Sequence, residues 1–176
     1  MDLGPVDRIT ADAIGEPGER TFYIQARAGT ELVTVIVEKQ QVQLLAASVL
    51  ELLEEAPATG SSTDEPLMEL EQPVDPRWRA GRLSIGFDQE RDLFLLEVEE
   101  FRPDTEDLAP DDRLAMTPET APESIRIWAS PAQMLALSRH GAEVAARGRP
   151  TCQFCGNPID AEGHTCPAMN GHSRHA

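Results

Sequence analysis

The only three cysteines of this chain are Cys152, Cys155 and Cys166, and three of its four histidines, His164, His172 and His175, stand in the same C-terminal stretch. Thiolate and imidazole are the ligands that tetrahedral Zn²⁺ prefers, and Cys152-x-x-Cys155-Gly156 has the usual shape of one zinc knuckle. Three thiols are set by the sequence and the fourth ligand is a choice. His164 puts a histidine two residues before Cys166, so that both point the same way from an extended strand. His172 would place it after Cys166 instead, and His175 is more remote. Gly163 before His164 and Pro167 after Cys166 favour a tight second knuckle facing Cys155-Gly156, so His164 is preferred. The plainer alternative is three unligated thiols in a flexible tail.

Four protein ligands so close in sequence would close the coordination shell, whereas a catalytic zinc keeps one position open. The expected cofactor is therefore a structural Zn²⁺ held by Cys152, Cys155, His164 and Cys166, folding a segment too short to have its own core. A redox role for Cys-x-x-Cys calls for a helix N-terminus in a thioredoxin-like setting, which the sequence does not offer.

Residues able to do other chemistry are few. Outside the tail the sole histidine is His140, in a predicted helix beside Gly141, and the sole lysine is Lys39, where a strand meets a helix. Glu97 and Glu99 share one face of a predicted strand and can act as paired carboxylates, or simply meet solvent while Phe94, Leu96 and Val98 fill the other face. Gly15-Glu16-Pro17-Gly18 lacks the downstream Lys-Ser/Thr of a phosphate loop. No catalytic residue is assigned. If the chain holds a small ligand or runs a reaction, the candidates are Lys39, Arg20, Arg82, Glu97 and Glu99, in a pocket between its two halves.

Charge narrows the partners. A formal net charge of -16 repels phosphate backbones, and nucleic-acid binders usually carry a basic footprint. Nucleic-acid binding through the tail is therefore a second alternative only. Much of the acid lies in two polar connections, from Glu54 to Asp75 and from Glu97 to Glu123. The N-terminus has no apolar run of a signal peptide, and no apolar stretch approaches the roughly 18 residues of a membrane span. Ligand-spaced cysteines suit a reducing compartment. The expectation is a cytoplasmic protein with no membrane segment.

Periodicity supplies the elements that must carry these groups. Val6 to Ile14, Arg20 to Arg27 and Glu31 to Glu38 read as strands, the last with Val33, Val35 and Val37 on one face. Lys39 to Glu55 reads as a helix with Val42, Leu45, Val49 and Leu52 at helical spacing; Leu44, Leu50 and Leu53 widen the stripe, which predicts cover on more than one side. Pro57 to Pro76 reads as a loose linker. Ala80 to Phe87 and Asp92 to Phe101 form a predicted hairpin, Ser124 to Ala129 a strand, and Pro131 to Arg147 a helix. Its start is specified by Ser130 as N-cap, Pro131 and the capping-box Gln133. Gly148 is a plausible C-terminal cap.

A shift of 92 residues lays Val33, Val35, Val42, Leu45 and Leu52 on Ile125, Ile127, Met134, Leu137 and Val144, and Gln41 on Gln133. The predicted fold is α+β: two β-β-β-α repeats (about 6–56 and 79–148) forming one domain, 1–148, around a pseudo-twofold. Acidic linkers run over about 57–78 and 102–122, and a zinc-knuckle tail occupies 149–176.

The segments Gly15-Glu16-Pro17-Gly18-Glu19-Arg20-Thr21-Phe22 and Val37-Glu38-Lys39-Gln40-Gln41-Val42, with the ending Cys152-x-x-Cys155-Gly156…Gly163-His164-x-Cys166-Pro167-x-x-Asn170-Gly171, resemble one family. It is an actinobacterial family of uncharacterised proteins, a domain of unknown function sometimes titled "repeat protein". The resemblance implies a cytosolic actinobacterial protein and supports His164 as the fourth ligand. It brings no activity, substrate or catalytic residue. With no catalytic constellation in the body, the sequence points to a non-enzymatic binding or adaptor protein with a protein partner.

Overall fold

The computed structural model describes residues 1–55, 67–104, 111, 116–117, 121–148, 150–159 and 163–168. The architecture is α+β, with two sheets and two long helices. In chain order the elements are β1 (Asp2–Leu3), β2 (Arg8–Ile14), β3 (Thr21–Ala28), β4 (Glu31–Val37), α1 (Lys39–Glu55), β5 (Ala80–Asp88), β6 (Leu93–Glu100), β7 (Ser124–Ala129) and α2 (Pro131–Ala146). β2, β3 and β4 form an antiparallel meander. β5, β6 and β7 form a second one, and β1 lengthens that sheet by pairing parallel with β7.

Strand alternation sets which side is buried. In the first sheet the cross-strand rows Ile9–Ala26–Val33, Ala11–Ile24–Val35 and Ala13–Phe22–Val37 share one apolar face. In the second, Phe94, Leu96 and Val98 of β6 meet Ala129, Ile127 and Ile125 of β7 in the same way. These residues join Val42, Leu45 and Val49 of α1 and Met134, Leu137 and Val144 of α2 in one hydrophobic core.

Two seams connect the sheets. At one, the Val6 amide donates to Trp128 O (2.8 Å) and the Asp7 amide to Arg27 O (2.8 Å), so the chain after β1 leaves β7 and enters the first sheet. At the other, the Arg77 amide donates to Thr34 O (2.9 Å) and the Ile36 amide to Trp78 O (3.0 Å) just before β5 begins.

Each helix start is tied to a seam by a glutamine. Gln133 Oε1 accepts from the Ser130 amide (2.9 Å), completing the expected capping box, and its Nε2 donates to Val6 O (2.8 Å). Gln41 Oε1 accepts from the Glu38 amide (2.8 Å), and its Nε2 donates to Gly81 O (2.9 Å). The helices then cross in close contact. The fully buried Ser138 hydroxyl donates to Ala46 O (2.8 Å). Gly141 has no side chain there because a Cβ would come within 3.0 Å of Val42 Cγ1 and 3.4 Å of Ala11 Cβ.

Three features differ from the sequence expectation. The linker predicted to be loose is a strap from Leu67 to Pro73 across the other face of the first sheet. The Arg8 Nε donates to Leu67 O (2.8 Å) and the Thr10 hydroxyl to Met68 O, while the Gln25 amide exchanges two bonds with the Glu71 backbone (2.8 and 3.1 Å). Buried polar side chains must be paired, and Thr10, Gln25 and Thr34 line this face. Glu71 also accepts ion pairs from Arg8 (2.7 Å) and Arg27 (2.9 Å). The earlier part of that linker and most of 102–122 lie outside the described residues.

Second, α1 is covered on one side only. Val42, Leu45, Ala46 and Val49 are buried, whereas Leu44 is 69% and Leu50 45% exposed. A leucine costs nothing in helix propensity, so its presence in a helix does not report burial. Third, β1 was not anticipated. Two residues that gain their pairing from the far end of the chain leave no periodic trace.

The contact at Gly141 yields a stability prediction. Gly141→Val should overpack the junction of α1, α2 and β2 and lower unfolding free energy by about 2 kcal/mol despite removing a helix glycine. Urea denaturation checks it; an unchanged or higher midpoint would show that the helices can move apart without cost.

Candidate metal centre

The tail begins just after α2 and folds back as a short hairpin. Thr151 bridges Pro158 in antiparallel fashion, with the Cys152 amide donating to Asn157 O (2.8 Å) and the Ile159 amide to Pro150 O (2.7 Å). Inside it the Gly156 amide donates to Cys152 O (2.9 Å), and Gly156 takes a φ of 74°, a left-handed value that an L side chain rarely adopts. This turn directs Cys152 and Cys155 to one side. Gly163, with φ 91°, leads His164 and Cys166 back to face them.

The Sγ atoms of Cys152, Cys155 and Cys166 and a ring nitrogen of His164 all lie within 4.8 Å of one another. The Cys152 and Cys166 sulfurs are 3.8 Å apart, and Cys155 Sγ is 3.3 Å from His164 Nε2. A tetrahedral ion with metal–sulfur bonds of roughly 2.3 Å needs ligand–ligand edges of about 3.8 Å, slightly less where a nitrogen takes part. Those two edges are close to that shape, and the four groups lie near enough together to hold one metal ion. The three cysteines are unbridged, and Cys152 and Cys166 are buried. Of the alternative ligands, His172 and His175 lie outside the described residues.

Local dipoles prepare the site. Backbone N–H groups of Phe154 and Cys155 point at Cys152 Sγ and hold its thiol down to about 6, against the desolvation of burial. The Asn157 N–H acts likewise on Cys155, but burial and the neighbouring sulfurs of Cys152 and Cys166 outweigh it and push that thiol up. One thiolate is thus ready near neutral pH while another is discouraged until a cation supplies opposite charge.

The other candidates fall into separate places. Lys39 and Arg20 line a groove of about 500 Å³, walled on one side by Thr151 and Pro158 of the tail hairpin. Arg82 and Glu99 line a different groove of about 440 Å³ between α1 and β5, where they approach each other to 3.9 Å. Glu97 lies on the outer face of β6 opposite Arg126 of β7, away from the core side chains of its strand. His140 is half-buried on α2, its Nε2 3.5 Å from Asp12 Oδ1 of β2. Arg79 and Arg147 join Lys39 and Arg20 in the first groove. Isolated arginines far apart in sequence gave no signal of that convergence.

With fold and cluster in place, comparison with known proteins is informative on one point. The chain belongs to a family described as "Protein of unknown function (DUF3090)". The match spans residues 1–166 and so takes in the whole body and all four ligand candidates. No curated protein and no solved structure matches the chain. DUF3090 membership attaches no reaction to the grooves or to the cluster.

The Cys152 environment gives a pH prediction for the metal-free protein. Its folded value lies below that of an unfolded cysteine, about 8.5. The thiolate therefore contributes stability to the knuckle that is fully present above that unfolded value and is lost as pH falls through about 6. Site-resolved alkylation against pH should give a midpoint near 6 for Cys152 and one above that of a free thiol for Cys155. Equal midpoints at the two sites would refute it.

Proposed function

We propose that this DUF3090 protein binds one structural Zn²⁺ and acts, without turnover of its own, by binding a protein partner in the cytoplasm. The observation that carries the reading is the convergence of three sulfurs and one imidazole nitrogen within 4.8 Å. Zinc suits a set of three soft thiolates and one imidazole, whereas calcium and magnesium take oxygen ligands. When bound, the ion would supply cross-linking charge that fixes the two knuckles, with no position left for water. The chain does the rest: Gly156 and Gly163 turn the backbone, and the Phe154 and Cys155 amides stabilise the first thiolate.

The body is read as two copies of one β-β-β-α unit around a pseudo-twofold. Several observations support this. Both units are three-stranded meanders followed by a helix, in the same strand order. Gln41 and Gln133 make the same pair of bonds, each to its own helix start and to backbone at the opening of the other unit's first strand. Ser138 and Ala46, which bond across the helix contact, are 92 residues apart, the offset that relates the two apolar patterns.

Adaptor function follows from what the surface offers. Phe154 is 70% exposed at the knuckle tip, and Leu44 projects from α1. Large apolar side chains held out on a rigid scaffold are common interface anchors. The net charge of -16 disfavours nucleic acid as the partner and favours a basic protein surface. None of the described helices is long and apolar enough to cross a membrane. The actinobacterial, cytosolic origin implied by the sequence resemblance belongs to this same reading.

Two measurements test it. Elemental analysis of protein purified without chelators should find one zinc per chain, and Cys155→Ser should release it while the body keeps its fold; less than half an equivalent of zinc rejects the metal reading. Affinity capture from the native host should recover a protein partner with the intact chain and not with Phe154→Ser. Substrate turnover that Glu97→Gln, Glu99→Gln or Lys39→Ala abolishes in a folded protein would overturn the non-enzymatic assignment.

A further inference from the structure

Among the described residues, the groove between the body and the tail hairpin gathers four cations, Arg20, Lys39, Arg79 and Arg147, and one carboxylate, Glu38. The whole chain has 15 Lys and Arg against 31 Asp and Glu, so chance would put more acid than base along any groove. The excess is local and built. Arg20 is pinned by donating from Nη1 to Val144 O (3.1 Å) in the last turn of α2. Lys39 opens α1, and its Nζ lies beside Gly148, 3.6 Å from where a Cβ there would stand. Lys39 makes no ion pair among the described residues. Arg79 pairs with Glu38, and Arg147 with Glu143 at 2.7 Å, through side chains that are more than half exposed. Such exposed pairs are worth little and are readily exchanged for a better anion.

We propose that this groove is a binding site for a small phosphorylated ligand carrying at least two negative charges. Its volume, about 500 Å³, falls within the range of small-molecule sites. Guanidinium groups bond phosphate oxygens two at a time, and an ammonium adds a point charge. In the bound state Lys39 Nζ and the Arg20 guanidinium donate to phosphate oxygens, while Arg79 and Arg147 swing from Glu38 and Glu143 to complete the shell. A nucleic-acid backbone is a poor fit, because the acid of the surrounding surface repels every phosphate beyond the groove. The four cations lie on the body or at its junction with the tail, so the site rests on the metal reading only for the wall made by Thr151 and Pro158.

Inorganic pyrophosphate is the probe. Isothermal titration into the full-length protein, freed of unbound zinc by gel filtration and held at low ionic strength, should show saturable binding at one site. Lys39→Met and Arg20→Met should each weaken it at least tenfold, and Arg82→Met, in the other groove, should leave it unchanged. Circular dichroism checks that each variant is folded, and Lys39→Met suffices should Arg20→Met fail to fold. Absence of saturable heat, or heat undiminished in Lys39→Met, overturns the proposal. Citrate binding as tightly as pyrophosphate overturns the phosphate class. Zinc content read on the same samples separates the two readings: pyrophosphate binding to zinc-free protein rejects only the metal, and zinc-loaded protein without pyrophosphate binding rejects only this site.

Discussion

A three-stranded meander with one apolar face is too small to stand alone: it can neither cover that face nor pair both of its edges. Everything in the body of this protein answers that constraint. Each meander opens by lending a few residues to the other's last strand, through Val6 on Trp128 and through Trp78 on Ile36. Each helix start is fastened to the opposite unit by a glutamine whose amide both donates and accepts. Gln133 and Gln41 thereby satisfy a helix-start amide and a backbone carbonyl at once, groups that would otherwise cost about 1–3 kcal/mol each if buried unpaired. One continuous core spans both units, which are joined at the two seams.

The tail obeys a different rule because it has no core of its own. Its described residues hold two buried side chains, Cys152 and Cys166, and both are sulfurs of the cluster. Among the described residues, hydrogen bonds close the first knuckle, and its buried contact with the second is made by the cysteine sulfurs. A cation among the four ligand atoms would fasten the two knuckles together, since metal-binding free energy in such segments is folding free energy. The low-lying Cys152 thiol and the raised Cys155 thiol describe a site half prepared for that charge.

How much of this was legible follows from where the determinants lie. Period-two valines in β4, alternate Phe94, Leu96 and Val98 in β6, and the Ser130–Pro131–Gln133 start of α2 are local patterns, and the elements form where those patterns stand. The cysteine spacing is also local, so the four ligand candidates were readable before any geometry. What stayed hidden depends on partners distant in sequence. The strap from Leu67 to Pro73 reads as polar linker because its bonds are made by its backbone, and the side chains that make them, Arg8, Thr10 and Gln25, belong to another segment. The exposure of Leu44 and Leu50 is set by which side of α1 meets α2, a choice that a seven-residue apolar stripe leaves open. The cationic groove draws on residues from four separate parts of the chain.

On the duplication reading, the two grooves mark where the units differ. α2 lies close against β2 where Gly141 lets Ala11 and Val42 approach. On the duplication reading the counterpart of Gly141 in α1 is Val49, a buried branched residue that needs room of its own. The space between α1 and β5 is the groove lined by Leu44, Leu45, Leu83 and Ile85 together with Arg82 and Glu99. On the same reading the cationic groove marks a second difference, since the tail hairpin follows α2. One face of the body therefore gains a wall of Thr151 and Pro158 that the other lacks. A symmetric pair of units would offer two equal, shallow surfaces. Both clefts carry charge, but of different balance: the one between α1 and β5 mixes Arg82 and Arg102 with Glu99 and Glu100, whereas the other sets Arg20, Lys39, Arg79 and Arg147 against Glu38.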